Sequence, residues 1–131
     1  MNRLIELHDS TLGGLEWVGS EIVVRLRPAY VHQSEERPGM DPGTGWVQAV
    51  DLIIRSATLE SLPTRLPTIL ADGAFSIDGA RWENQIPIPL DVRQASIEFS
   101  AVTEASETLL VRGEGLSVLL RGDPRFVEQL P

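Results

Sequence analysis

The chain has 131 residues, no cysteine, and 19 acidic against 11 basic residues, for a net charge of −8. This length suits one domain whose core is large enough to be stable without disulfides or a structural metal. The lack of cysteine excludes disulfides and thiolate metal sites, and it favours a reducing compartment. The negative net charge disfavours nucleic-acid binding, because phosphate backbones bind to clustered positive charge. The same negative charge suits a basic partner.

The first residues predict no signal peptide, because Glu6 interrupts the chain before an apolar run develops. No uncharged apolar stretch approaches the roughly 20 residues that span a bilayer. We therefore expect a cytoplasmic protein with no membrane partner.

The motif His8-Asp9-Ser10 contains the three residue types of a hydrolytic triad. Consecutive residues of a strand point to opposite sides and cannot converge on one reacting atom. We expect instead a strand end at which Asp9 or Ser10 hydrogen-bonds a neighbouring backbone N–H group.

Apolar residues alternate with period two along nearly the whole chain, as in half-buried strands. Two such runs flank the Gly-Ser pair at 19–20, which fits a type II′ turn because glycine readily adopts positive φ. The predicted hairpin pairs Trp17 with Ile22 and Leu15 with Val24, so that all four side chains share one face.

A further run, residues 46–54, is predicted to pair antiparallel with residues 22–30. The register that matches the two apolar faces sets Arg25 opposite Asp51, which is a favourable cross-strand charge pair. A slip of one residue would invert both faces.

Between these runs lies an irregular segment, residues 33–45, that is rich in proline and glycine. Long loops often bind ligands or cover a site, and aromatic and charged side chains suit contact surfaces. The candidate binding residues are Tyr30, His32, Glu35, Arg37, Asp41 and Trp46. The alternative is a tolerated surface insertion, with Tyr30 and Trp46 closing the core.

The two histidines, His8 and His32, offer nitrogen ligands for a divalent metal together with Glu35 or Asp41. Their spacing matches neither a two-histidine helical motif nor an EF-hand loop. We therefore predict no metal site, no other cofactor and no catalytic residue.

Asp-Gly pairs at 72–73 and 78–79 predict hairpin turns, the first between short strands at 68–71 and 74–77. Residues 85–90 contain two prolines, which predict an edge strand or a segment crossing the sheet. Just before them, residues 81–84 form a second candidate contact site, although Trp82 is expected in the core.

Three more strands are predicted at 96–102, 108–113 and 116–121. The Gly-Glu-Gly motif at 113–115 predicts a hairpin rather than a phosphate loop, because no helix follows it. Asp123-Pro124 predicts one or two helical turns at most. Eight or nine strands without an amphipathic helix predict a single all-β domain over residues 1–131, antiparallel and hairpin-rich, as either a β-sandwich or a barrel-like sheet.

The opening Leu7-His8-Asp9-Ser10, followed by Leu12, resembles that of several small bacterial β proteins, some of them grouped with the immunity proteins of toxin systems. The resemblance implies an acidic binding protein that occupies a toxin partner. It transfers no active-site residue.

The leading prediction is a non-enzymatic protein-binding domain whose acidic surface and 33–45 segment face a protein partner. Homodimerisation through an unprotected sheet edge is a companion prediction. The alternative, from another class, is a small-molecule-binding barrel or a hydrolase with its site at one mouth beside Tyr30, His32, Asp41 and Trp46. A deep apolar pocket there would favour this alternative, and a filled interior would favour the binding domain.

Overall fold

A computed structural model describes residues 2–131, which form ten strands and one short 3-10 turn (Leu7–Asp9). The strands are β1 (Asn2–Glu6), β2 (Thr11–Val18), β3 (Glu21–Ser34), β4 (Gly43–Ile54), β5 (Thr58–Ser61), β6 (Thr68–Ile77), β7 (Ala80–Glu83), β8 (Gln85–Ile88), β9 (Asp91–Thr103) and β10 (Thr108–Leu130). The predicted all-β class is confirmed. Within residues 2–131, no helix is long and apolar enough to cross a membrane.

All ten strands belong to one antiparallel sheet with the order β2-β6-β9-β10-β4-β3-β1-β8, with β5 added to β10 and β7 to β6. Strand β2 also pairs with β3, so that β2, β6, β9, β10, β4 and β3 form a ring. The β2–β6 contact that closes it is limited to Thr11–Ile69 and Leu12–Thr68. The architecture is therefore a barrel-like sheet with a partly closed ring.

Side chains from almost every strand fill the interior of this sheet. The largest fully buried ones are Phe75, Phe99, Ile5, Leu7, Leu12, Ile22, Leu26, Leu52, Ile54, Leu70, Ile86 and Ile97. Burying each such side chain contributes about 1.5–3 kcal/mol relative to leaving it in water. The sheet is thus held by one continuous apolar core.

The hairpin predicted at 19–20 is confirmed: Trp17 pairs with Ile22, Leu15 pairs with Val24, and Gly19 has a φ of 62°. Ile22 is fully buried but Trp17 is 49% exposed. The hairpin tip projects, because β2 beyond Leu12 pairs only with β3.

The predicted register of β3 and β4 is also confirmed, with Arg25 opposite Asp51. The ion pair expected between them is wrong. Arg25 pairs with Glu16, whereas Asp51 accepts hydrogen bonds from Arg27 (2.7 Å) and Arg121 (3.0 Å). Burial favours protonation of Asp51, but these two guanidiniums outweigh it and hold the pKa of the carboxyl below its usual value.

Two predicted hairpins are wrong, because both glycine motifs lie within continuous strands. Strand β6 runs through Asp72-Gly73, where a Cβ on Gly73 would come within 2.8 Å of the Leu7 side chain. Strand β10 runs through 113–115, where a Cβ on Gly113 would lie 2.4 Å from the Arg55 carbonyl oxygen. These glycines permit close approach of neighbouring groups rather than a turn.

The helical tail predicted at Asp123-Pro124 is wrong as well. Residues 121–130 continue β10 and pair with the first half of β4, with bulges between Arg121 and Arg125 and between Phe126 and Glu128. Long-range pairing with β4 therefore overrides the local helix-start signal.

Two further predictions in this half of the chain are confirmed. Asp78-Gly79 turns the chain, with φ values of 49° and 86°. Strand β8 is an edge strand that pairs with β1 on one side. The core position expected for Trp82 is wrong: its ring stacks on the buried Phe75 with ring centroids 4.9 Å apart, but Trp82 itself is 36% exposed and lies outside the apolar core.

Candidate functional site

The loop between β3 and β4 is shorter than predicted, covering 35–42 rather than 33–45. Strand β1 pairs with Gln33 and Ser34 from the side opposite β4 and so extends β3. Arg37 and Asp41 close the loop: the guanidinium Nε lies 3.0 Å from the carboxylate, which also accepts the Arg37 N–H. Glu35 is exposed beside this turn.

His32 lies under the loop on β3 and is 5% exposed. Its Nδ1 accepts the backbone N–H of Gly39 and lies 3.6 Å from Oε1 of Glu6. An Nδ1 that accepts an N–H group carries no proton, so the neutral ring has its proton on Nε2. Nε2 is buried and has no hydrogen-bond partner among residues 2–131.

Tyr30 lies two residues earlier on the same face of β3 and is 8% exposed. Its side chain passes over β4 at Gly45, where an added Cβ would lie 2.0 Å from the phenol oxygen. Its hydroxyl donates a hydrogen bond to Glu128 on β10 at 2.7 Å. Burial raises the pKa of the Tyr30 phenol well above its usual value, and the charges of Glu128, Glu6 and Asp9 raise it further.

Trp46 does not join these residues. It pairs with Val31, a core residue, and so faces the side of the sheet opposite Tyr30 and His32. There its ring meets Phe126 edge-on with centroids 5.4 Å apart. The structure therefore brings Tyr30 and His32 together and separates Trp46 from them, in line with the alternative that Trp46 closes the core.

Three carboxylates surround Tyr30 and His32 on the outer side of the sheet. Glu6 pairs with Tyr30 across β1 and β3, Glu128 reaches the phenol from β10, and Asp9 follows in the 3-10 turn. We call these five residues the acidic face.

None of the three carboxylates of the acidic face forms an ion pair with an arginine of residues 2–131. Eight carboxylates elsewhere do: Glu16, Glu21, Asp41, Asp51, Glu60, Glu83, Asp91 and Glu98. Arg125 shares the face by register, through Val47, but forms no ion pair with the described residues. No arginine of the described residues thus neutralises the acidic face by direct contact.

Glu6, His8 and Asp9 have the side-chain types of a metal site, and one ligand atom of each lies within 4.8 Å of the others. The contacts of His8 argue against this role. Asn84 accepts the His8 backbone N–H through Oδ1 at 2.7 Å, which turns its Nδ2 donor towards Nδ1 of the ring. The ring proton must then lie on Nε2, which is 3.0 Å from the Asp9 carboxylate and has no lone pair for a metal.

Ser10 has a structural role, as predicted for the His8-Asp9-Ser10 motif. Its hydroxyl donates to the Glu6 carbonyl oxygen at 2.7 Å and accepts the Tyr30 backbone N–H at 3.0 Å. Because Ser10 is fully buried and bonded in both directions, its hydroxyl does not point at a substrate.

The cavities beside the predicted residues are grooves open to solvent. One of about 420 Å³ lies between Arg37 and Trp82, and one of about 140 Å³ lies beside Trp46. Asn84, from the second candidate segment, caps the 3-10 turn instead of lining a site. Among residues 2–131, no deep apolar pocket is lined jointly by Tyr30, His32, Asp41 and Trp46.

Sequence reasoning found Tyr30 and His32 but missed Glu6, Asp9 and Glu128. A sequence signal exists only for the Glu128 side: Gly45 is a glycine inside a strand, which marks a close approach, and an added Cβ there would lie 3.2 Å from the Glu128 side chain. Comparison of the chain with protein-family models, curated proteins and solved structures gives no match.

Proposed function

We propose that this chain is a non-enzymatic protein-binding domain whose acidic face receives a basic segment of a partner protein. The observation that carries the proposal is the set of three carboxylates around Tyr30 and His32 without an arginine of the described residues in contact. Negative charges on one face repel one another, and a partner cation relieves that repulsion.

The position of the acidic face favours a macromolecular partner. Its residues come from β1, the 3-10 turn, β3 and β10, so the face is a surface across the sheet and not a pocket. The interior is filled by apolar side chains, which leaves a small ligand only open grooves. An arginine-bearing segment suits such a surface, because its planar guanidinium can bond two carboxylates at once.

The net charge of −8 supports the same choice of partner. Complementary charge speeds encounter with a basic protein and disfavours a second acidic copy of this chain. Homodimerisation through a sheet edge would need a free strand edge, and β10 has one beyond Ser117, where it pairs only with β4. This part of β10 contains two bulges and Pro124, which disfavour the addition of another strand. The resemblance to immunity proteins makes a basic toxin the class of partner that fits.

The test compares the wild type with Glu6→Gln/Asp9→Asn/Glu128→Gln in binding an arginine-rich peptide, measured by calorimetry at fixed salt. The amide oxygen introduced at position 128 can still accept the hydrogen bond of the Tyr30 hydroxyl, so the fold is preserved. We expect about tenfold weaker binding or more, since three surface charge pairs are lost at up to about 1 kcal/mol each.

The matched control is Asp72→Asn/Glu104→Gln/Glu114→Gln, which removes the same charge from exposed positions elsewhere. Its binding should stay close to that of the wild type. Equal weakening in both triple variants would show that only net charge matters, and the acidic face would lose its role.

A further inference from the structure

The tip of the β3–β4 loop, residues 37–41, is joined to the rest of the chain by a single hydrogen bond among residues 2–131. In this bond, His32 Nδ1 accepts the backbone N–H of Gly39. The other hydrogen bonds of the loop tip, and its ion pair, connect residues within the tip itself. The polar attachment of the loop tip to the sheet therefore depends on whether His32 can accept a hydrogen bond.

Gly39 packs closely on the outer side of β1 and β8. A Cβ at this glycine would lie 2.5 Å from Nε2 of Gln85 and 3.4 Å from Cδ2 of Leu4. Leu4 pairs with His32 across β1 and β3 and is only 7% exposed. Met40, the large apolar residue of the loop tip, is 74% exposed and does not anchor it. The loop tip is thus a cover over Leu4 and His32 that the Gly39 hydrogen bond keeps in place.

The hydrogen bond to Gly39 exists only while His32 is neutral. A ring nitrogen accepts an N–H group through its lone pair, and protonation of Nδ1 removes that lone pair. Two donors, the Nδ1–H and the Gly39 N–H, would then face each other. Histidine is the side chain whose charge ordinarily changes between about pH 5 and pH 8. Acidification in this range can therefore break the attachment of the loop tip.

Glu6 on β1 can accept the proton-bearing Nδ1 in place of Gly39. Its Oε1 lies 3.6 Å from Nδ1, and it is the one carboxylate within 4 Å of the His32 ring among residues 2–131. A small rotation would bring the two atoms into a charge-assisted hydrogen bond. Nε2 carries a proton in both states and is buried without a partner, so it offers no alternative. Protonation of His32 thus exchanges one partner of Nδ1 for another.

Other ionisable groups lie around His32 on the elements that pack against it. They are Tyr30 on β3, His8 and Asp9 in the 3-10 turn, Arg125 and Glu128 on β10, and Glu35, Glu36, Arg37 and Asp41 in the loop. Strand β4 contributes Gly43, where a Cβ would lie 3.1 Å from Nε2. His8 is the one other group here that gains a charge near neutral pH, and its Nε2 lies 3.9 Å from Glu6. Any test must therefore separate the two histidines.

We propose that residues 37–41 form a pH-sensitive flap that His32 holds closed. With a neutral ring, Nδ1 binds Gly39 and the flap covers Leu4 and His32. As pH falls and the ring takes up a proton, Nδ1 pairs with Glu6, Gly39 is released and the flap opens. This release needs no partner at the acidic face, so it can be measured on the chain alone.

The test is an NMR titration of the full ¹⁵N-labelled chain from about pH 8 downwards, across the range in which histidine ordinarily titrates. At the start, a coupling through the hydrogen bond should connect the Gly39 ¹⁵N to the His32 ¹⁵Nδ1. The coupling should disappear along the titration curve of the His32 ring. Over the same range, the Gly39 amide exchange rate, corrected for its intrinsic pH dependence, should rise about fivefold or more, as expected for loss of one hydrogen bond. A coupling that survives protonation of the ring, or a ring that stays neutral until the chain unfolds, would overturn the proposal.

His32→Asn supplies a side-chain oxygen that can accept the Gly39 N–H and does not titrate, so the corrected exchange rate of Gly39 should be independent of pH. The matched control is His8→Asn, which removes the only other histidine of the chain. In this variant the release of Gly39 should still follow the titration of His32. Acid release of Gly39 in His32→Asn, or its loss in His8→Asn, would show that His32 is not the switch.

Discussion

Substitution of Gly45 by alanine should destabilise the protein because the Tyr30 phenol crosses β4 at this glycine. A Cβ at position 45 would lie 2.0 Å from the phenol oxygen and 2.7 Å from Cζ, so the ring must move. Moving it breaks the 2.7 Å hydrogen bond to Glu128. Overpacking costs about 1–3 kcal/mol, and a lost hydrogen bond to an exposed charged group adds about 1 kcal/mol. We expect a loss of about 2–4 kcal/mol in the free energy of unfolding, as the sum of these two costs.

Urea denaturation of Gly45→Ala and the matched variant Gly14→Ala measures this loss directly. Gly14 also lies in a strand, but a Cβ there meets no atom within 4 Å, so Gly14→Ala should be neutral or slightly stabilising. The cost of Gly45→Ala should fall in a Tyr30→Phe background, because the nearest contact is then gone. Equal stability of Gly45→Ala and the wild type would refute the placement of Tyr30 over β4.

Two further predictions concern pH and the Asp51 ion pairs. Because the folded protein raises the pKa of Tyr30, its contribution to stability is complete below about pH 10 and is lost as pH rises above that value. Alkaline denaturation of Tyr30→Phe should show a smaller loss than the wild type; identical curves would contradict this. Asp51→Asn should lower the free energy of unfolding by about 1–2 kcal/mol near neutral pH, since two charge-assisted hydrogen bonds from partly exposed arginines are lost. This difference should shrink below about pH 4, because the pKa of Asp51 is depressed in the folded state and its contribution is lost as pH falls. A difference that persists in acid would contradict this origin.

Local patterns predicted the parts of the fold that depend on neighbouring residues. The hairpin at 19–20 and the β3–β4 register follow from alternation of apolar side chains and from turn chemistry within a few residues. The same Asp-Gly pair gives a turn at 78–79 but a continuous strand at 72–73. The difference depends on Leu7, which fills the space beside Gly73 and is distant in sequence.

The candidate site was predictable only where it adjoins the β3–β4 loop. Tyr30 and His32 flank that loop, and loop length drew attention to them. Glu6 and Glu128 reach the same face through the pairing of β1 with β3 and of β10 with β4, which local patterns do not encode. The helix-start signal at Asp123-Pro124 also led to a helical prediction for the segment that forms the strand carrying Glu128.

The central claim, that the acidic face binds a basic partner, is tested most directly by NMR mapping of a titration with an arginine-rich peptide. The largest amide shifts should lie at Glu6, Asp9, Tyr30, Gly45 and Glu128, and they should disappear in the Glu6→Gln/Asp9→Asn/Glu128→Gln variant. Shifts spread evenly over all acidic residues, or centred on Glu104 and Glu107, would contradict the claim.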